Sequence, residues 1–157
     1  MITVVVLLTL SSIAFRSFSD FLEQRKLRQA AIELAGLLRT SRTLAVKNAA
    51  SCQIIQTSSS TATFGANSSF TGNTCTSSNV PPLSLRAAAG SNAVSATDAT
   101  FTFTRSGFAA GSSATTLISS PNSQSRYCVS LTSPSAIVRI GWTNGSAVSS
   151  CNFRSSG

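Results

Sequence analysis

The sequence predicts an α+β fold in which one long N-terminal helix packs by its C-terminal half against an antiparallel β-sheet head. Three observations carry this. Residues 1–15, MITVVVLLTLSSIAF, hold no charge, and neither Gly nor Pro stands before Gly36, so nothing there interrupts a helix. Beyond residue 16, apolar residues recur with the period of a helix. After Asn48 that rhythm gives way to short alternating runs separated by Ser-, Thr-, Gly- and Asn-rich stretches, the pattern of strands and turns. The expected division is a long helix over 1–48, with an apolar membrane or filament part at 1–15 and an amphipathic part at 16–48, followed by a β-rich globular head over 49–157.

In the amphipathic part Leu27, Ala30, Ala31, Leu34, Leu37, Leu38, Ser41, Leu44 and Ala45 fall on one stripe. Arg25, Arg28, Gln29, Glu33, Gly36, Thr40 and Lys47 fall largely opposite. Arg16 with Asp20 and Glu23 with Lys26 have the spacing of helical ion pairs. A helix over 1–48 would measure about 72 Å at about 1.5 Å per residue, against about 30 Å for a globule made of the remainder. Part of it must protrude. The opening run is shorter than the roughly 20 residues that cross a bilayer, yet too apolar for a surface helix. No Lys or Arg precedes it and no small-x-small cleavage site ends it, so it does not read as a cleavable signal. It needs lipid or copies of itself.

In the head, strand signals lie at Cys52 to Gln56, Ala62 to Phe64, Leu83 to Leu85, Phe101 to Thr104, Thr116 to Ser119, Tyr127 to Leu131, Ala136 to Trp142 and Ala147 to Phe153. Phe101 and Phe103 share one face with threonines opposite. Ala136, Val138, Ile140 and Trp142 alternate with Ile137, Arg139 and Gly141, which predicts one covered face and one wetter face. Asn144-Gly145 is the strongest hairpin-turn signal, because both residues tolerate positive φ. Residues 66–82 and 87–98 read as loops.

Cys52, Cys75, Cys128 and Cys151 stand in no CxxC frame, and the chain has no histidine. A zinc site would need four thiolates at irregular spacing, so two disulfides and an oxidising compartment are the expectation, with no metal and no cofactor. Sequence proximity favours Cys52 with Cys75 and Cys128 with Cys151. A flat meander of the last three segments, however, would hold Cys128 and Cys151 about 9.6 Å apart, beyond the roughly 7 Å that a disulfide bridges. Either the last segment leaves the sheet or the pairing differs.

Charge is unevenly spread. Of the 157 residues only 10% are charged, 12 basic against 4 acidic for a net +8, and Arg16, Arg25, Lys26, Arg28, Arg39, Arg42 and Lys47 fall in one N-terminal region. Catalysis is not expected. There is no His, Asp20, Glu23 and Glu33 all lie on the helix, Asp98 stands alone, and no Gly-x-Ser-x-Gly frame is present.

MITVVVLLTLSSIAF resembles the part of a type IV pilin helix that follows the Phe-Thr-Leu-Ile-Glu-Leu start of the mature protein. LRQAAIELAGLLRTSRTLAVKNAASCQII resembles the next block of the GspH/FimT family of minor pilins and pseudopilins, and FTFTRSGFAAGSSATTL with RYCVSLTSPSAIVRIG is similar to that family's later strands. The resemblance implies a pilin-like fold truncated by about six residues relative to the mature start; restoring them would bring the apolar run to the roughly 20 residues of a span. It also implies a structural subunit of a type IV pilus or type II secretion filament, with other pilin or pseudopilin subunits as partners. Val4, Val5, Val6, Leu7, Leu8, Leu10, Ile13 and Phe15 would face lipid first and neighbouring helices later. The implied location is the bacterial inner membrane, single-pass with the head in the periplasm, and then an extracellular or periplasmic filament. Positive-inside counting would hold the basic flank in the cytoplasm; the cysteines, and the basic leader the family carries upstream, put the head outside. Two alternatives go with the resemblance. One is a DNA-binding minor pilin in DNA uptake, with Arg126, Arg139 and Arg154 as contacts and Phe108, Tyr127, Trp142 and Phe153 as stacking aromatics. The other is a surface adhesion subunit acting through loops 66–82 and 106–125.

Overall fold

The computed structural model describes residues 2–90 and 94–153, with side chains from Phe18 onward. A single helix, α1, runs over Ile2–Lys47, about 69 Å at about 1.5 Å per residue. It ends where Ala49 turns left-handed at φ 49°. There Ala50 N–H reaches back to Ala45 O at 3.1 Å and Ala49 N–H to Val46 O at 3.2 Å, the paired closure that satisfies the last helical carbonyls.

The strands follow as β1 (Cys52–Ser58), β2 (Thr63–Ala66), β3 (Leu83–Ser84), β4 (Ser95–Ala96), β5 (Thr100–Phe103), β6 (Ala114–Ser119), β7 (Arg126–Thr132), β8 (Ile137–Thr143) and β9 (Asn152–Phe153). A short helix, α2 (Leu85–Ala89), follows β3. They form two antiparallel sheets rather than one, ordered β3-β2-β1-β5 and β4-β6-β7-β8-β9. Leu27, Ala30, Ala31, Leu34, Ala35, Leu38 and Ala45 of α1 are buried against both. The expected stripe differs at its edges: Ala35 is buried, while Leu37 and Leu44 are half-buried. Alanines at four of the seven buried apolar positions keep that face shallow, so the helix axis can approach the sheets. The other side of the core is aromatic, with Phe64 and Phe101 in tilted contact at 6.3 Å and Phe103 beside them in the same cluster. Of the two expected ion pairs, Lys26 Nζ meets Glu23 Oε1 at 3.1 Å; the Arg16 side chain lies outside the described residues.

Three expectations are corrected. Leu85 begins a helix instead of ending a strand, because the Ser84 hydroxyl accepts from Ala87 N–H and caps it. Ser95 and Ala96, expected as loop, pair with Ser119 and Ile118. Asn144-Gly145 makes no tight hairpin: neither residue has positive φ, and the chain bends through 144–147 into a 3-10 turn, Val148–Ser150. Side chains hold that bend. Gly145 N–H donates to Thr143 Oγ1 at 2.9 Å, Thr143 and Ser150 hydroxyls bond at 2.9 Å, and Ser150 Oγ donates to Ala147 O at 2.6 Å. A Cβ on Gly145 would come 2.5 Å from Ser150 Oγ, so a side chain there would displace the hydroxyl that holds the bend.

The bend also resolves the disulfide question. Cys151 precedes β9 instead of standing in the sheet, and its Cα comes within 6.3 Å of that of Cys128, inside bridging range. The bonds are Cys52–Cys75 and Cys128–Cys151. In β8, Val138 and Ile140 pack against the core while Ile137 and Arg139 are exposed. Trp142 departs from the expected covered face and is 52% exposed.

Candidate functional site

Two grooves and a set of exposed apolar side chains lie along α1. Helical positions 28, 32, 39, 43 and 46, spaced by three, four and seven, fall on one flank beside the buried stripe. That flank and β8 enclose two grooves. The upper one, about 770 Å³, is lined by Arg39, Arg42, Thr43, Val46 and Lys47 of the helix and by Ala136, Ile137 and Val138. Arg42 Nη1 donates to Ala136 O at 3.5 Å across its floor, while Val46 and Ile137 stand half open to solvent. The lower groove, about 630 Å³, lies between Arg28 and Ile32 of the helix and Tyr127, Ile140, Gly141 and Trp142. Both combine apolar walls with guanidinium groups, and no carboxylate lines either.

Below the head the helix carries Phe18, Phe21 and Leu22, all exposed, with the Arg25 guanidinium over the Phe21 ring at 4.5 Å. Among the described side chains, the first fully buried helical residue is Leu27. A recess on the core side holds Asp20, Glu23 and Lys26 near Asn122 of the β6–β7 connection. Glu23 Oε2 is buried there without a hydrogen-bond partner.

The residues singled out from sequence fall as follows. The backbone of Val4, Val5, Val6, Leu7, Leu8, Leu10, Ile13 and Phe15 belongs to α1, and their side chains lie outside the described residues. Among the described residues no helix is long and apolar enough to cross a membrane. Arg126 donates to Gly145 O at 3.3 Å. Arg139 pairs with Ser130 in the ladder, so it stands from 126 to 130 along β7 away from Arg126, about 14 Å at about 3.4 Å per residue. The two do not converge on one phosphate, and Arg154 lies outside the described residues. Phe108 is exposed, and Tyr127 and Trp142 line the lower groove. Sequence reasoning missed Arg39, Arg42, Val46 and Ile137 as a group. The flank beside the buried stripe was not singled out from the sequence, and only the packed position of β8 shows what faces it.

Compared with known families, residues 30–135 match the family of type II transport protein GspH. Comparison with curated proteins finds no match. Among solved structures, the type IV minor pilin FimU of Pseudomonas aeruginosa superposes with a TM-score of 0.59 at 19% identity, covering 84% of this chain and 99% of that one. That likeness concerns the fold: a long N-terminal helix packed on antiparallel sheets.

Proposed function

The chain belongs to the GspH family, and from that premise we propose that it is a structural subunit, a minor pilin or pseudopilin, of a type IV pilus or type II secretion filament that assembles through its N-terminal helix. The observation that carries the reading is the division of α1. Among the described side chains, from Phe18 onward, its buried residues begin at Leu27, while Phe18, Phe21 and Leu22 are exposed and about 37 Å of helix precedes Leu27. Contiguous apolar surface of this kind marks an interaction site.

In this reading the membrane holds the helix until neighbouring helices replace lipid around Val4, Val5, Val6, Leu7, Leu8, Leu10, Ile13 and Phe15. Both surroundings are apolar, so the exchange costs little hydrophobic free energy, and packing decides the fit. Filament incorporation tests it. Val6→Asp with Leu10→Asp should abolish recovery of the subunit in sheared filaments while the head keeps its disulfides. Undiminished incorporation of that variant would refute the reading.

A further inference from the structure

We propose that the upper groove, between the last turns of α1 and β8, takes an extended, carboxylate-bearing segment of a neighbouring subunit of a different kind. The inference rests on the reading above that this chain is a filament subunit.

Backbone comes first. β7 pairs with β8 along its whole length, but β9 pairs only with Gly141 and Trp142. Among the described residues, no strand covers the far side of Ile137 to Ile140. Peptide groups on an open edge are a template for one more strand. A strand added there would send alternate side chains toward α1, the direction in which Val138 and Ile140 point. They would enter the groove over Ala136, Val138 and Val46.

Charge then selects the occupant. Arg39, Arg42 and Lys47 line the groove without any carboxylate among its lining residues. Carboxylates on the added strand would form charge-assisted hydrogen bonds with the guanidinium forks. A second copy fits poorly, because two chains of net +8 repel and three of the four carboxylates, Asp20, Glu23 and Glu33, are fixed on α1. Only Asp98 lies outside that helix. Nucleic acid fits less well than an acidic peptide, because half of the lining is aliphatic and none of it is aromatic.

The test is a binding titration with the full chain in detergent micelles and a fluorescent peptide of about eight residues alternating Val and Asp. Binding should be saturable and weaken with salt. Arg39→Glu with Arg42→Glu should lower affinity at least about tenfold. Arg25→Glu, a single charge reversal about 21 Å from Arg39 and about 26 Å from Arg42 along the helix, should leave it unchanged. A central proline in the peptide, which removes a ladder donor, should also weaken binding. Failure of the Val-Asp peptide to bind would overturn the proposal. So would equal binding by its Val-Lys counterpart, tighter binding of a single-stranded oligonucleotide, or indifference to the double reversal. The titration needs no filament, so its failure is distinguishable from a failure of assembly.

Discussion

At the scale of single residues, two backbone positions act in opposite directions. Gly107 has φ +78°, and a Cβ there would stand 2.7 Å from Val46 Cγ2, so a side chain would be strained in conformation and would push Val46 aside. Gly107→Ala should therefore cost about 1–3 kcal/mol, read as a lower midpoint in urea unfolding with an unchanged slope. Ala49 is the converse case. It holds φ 49° at the end of α1, a place where glycine carries no Cβ penalty, and Ala49→Gly should raise stability by about 0.5–1 kcal/mol. The sequence showed where the helix would stop, near Asn48, but the alanine at the left-handed position was hidden because nothing in its type announces it. Gly107 was equally silent, since its requirement comes from Val46, far away in the chain.

Among elements, the two disulfides make an internal comparison. Each spans a separation of 23 residues, so chain entropy assigns both about 3 kcal/mol. Their surroundings differ. Cys52 and Cys75 are both buried, with Cys75 Sγ 3.9 Å from the Ser41 carbonyl oxygen of α1, whereas Cys151 is only partly buried at the foot of the 3-10 turn. Replacing both cysteines by serine should cost about 1–2 kcal/mol more at 52 and 75 than at 128 and 151, because two hydroxyls are buried at the first pair and only one, at Cys128, at the second. Paired thermal melts of the two double variants would show it, and equal melting points would refute it. The strands flanking these bonds were legible where alternation was strong, as in Phe101 to Phe103. They were illegible where only a pair of residues makes the ladder, as at Ser95 and Ala96, or where side-chain hydrogen bonds outweigh turn propensity, as at Asn144-Gly145. The groove was not legible: the sequence marked the buried stripe and not the flank beside it, and β8 comes to face that flank only through the packing of helix on sheet.

For the whole molecule, one helix completes the head and, in the function proposed above, also serves neighbouring subunits. The long rod with a sheet head could be read from the sequence because helix continuity and the change of periodicity are local signals. Its partition is tertiary, since it depends on where the head's lower edge falls. That partition can be measured. A chain beginning at Ser19 keeps every buried helical residue from Leu27 to Ala45, together with the Lys26–Glu23 pair, and should unfold within about 1 kcal/mol of the full chain. A chain beginning at Gly36 loses Leu27, Ala30, Ala31, Leu34 and Ala35, all fully buried. Each leucine contributes about 1.5–3 kcal/mol of burial and the alanines add less, so the loss is comparable to the roughly 5–15 kcal/mol that hold a domain folded. That shorter chain should show no cooperative unfolding transition. Cooperative folding of both would mean that the sheets need no helix, and loss of folding already at Ser19 would mean that the N-terminal segment stabilises its own head instead of standing free for neighbours.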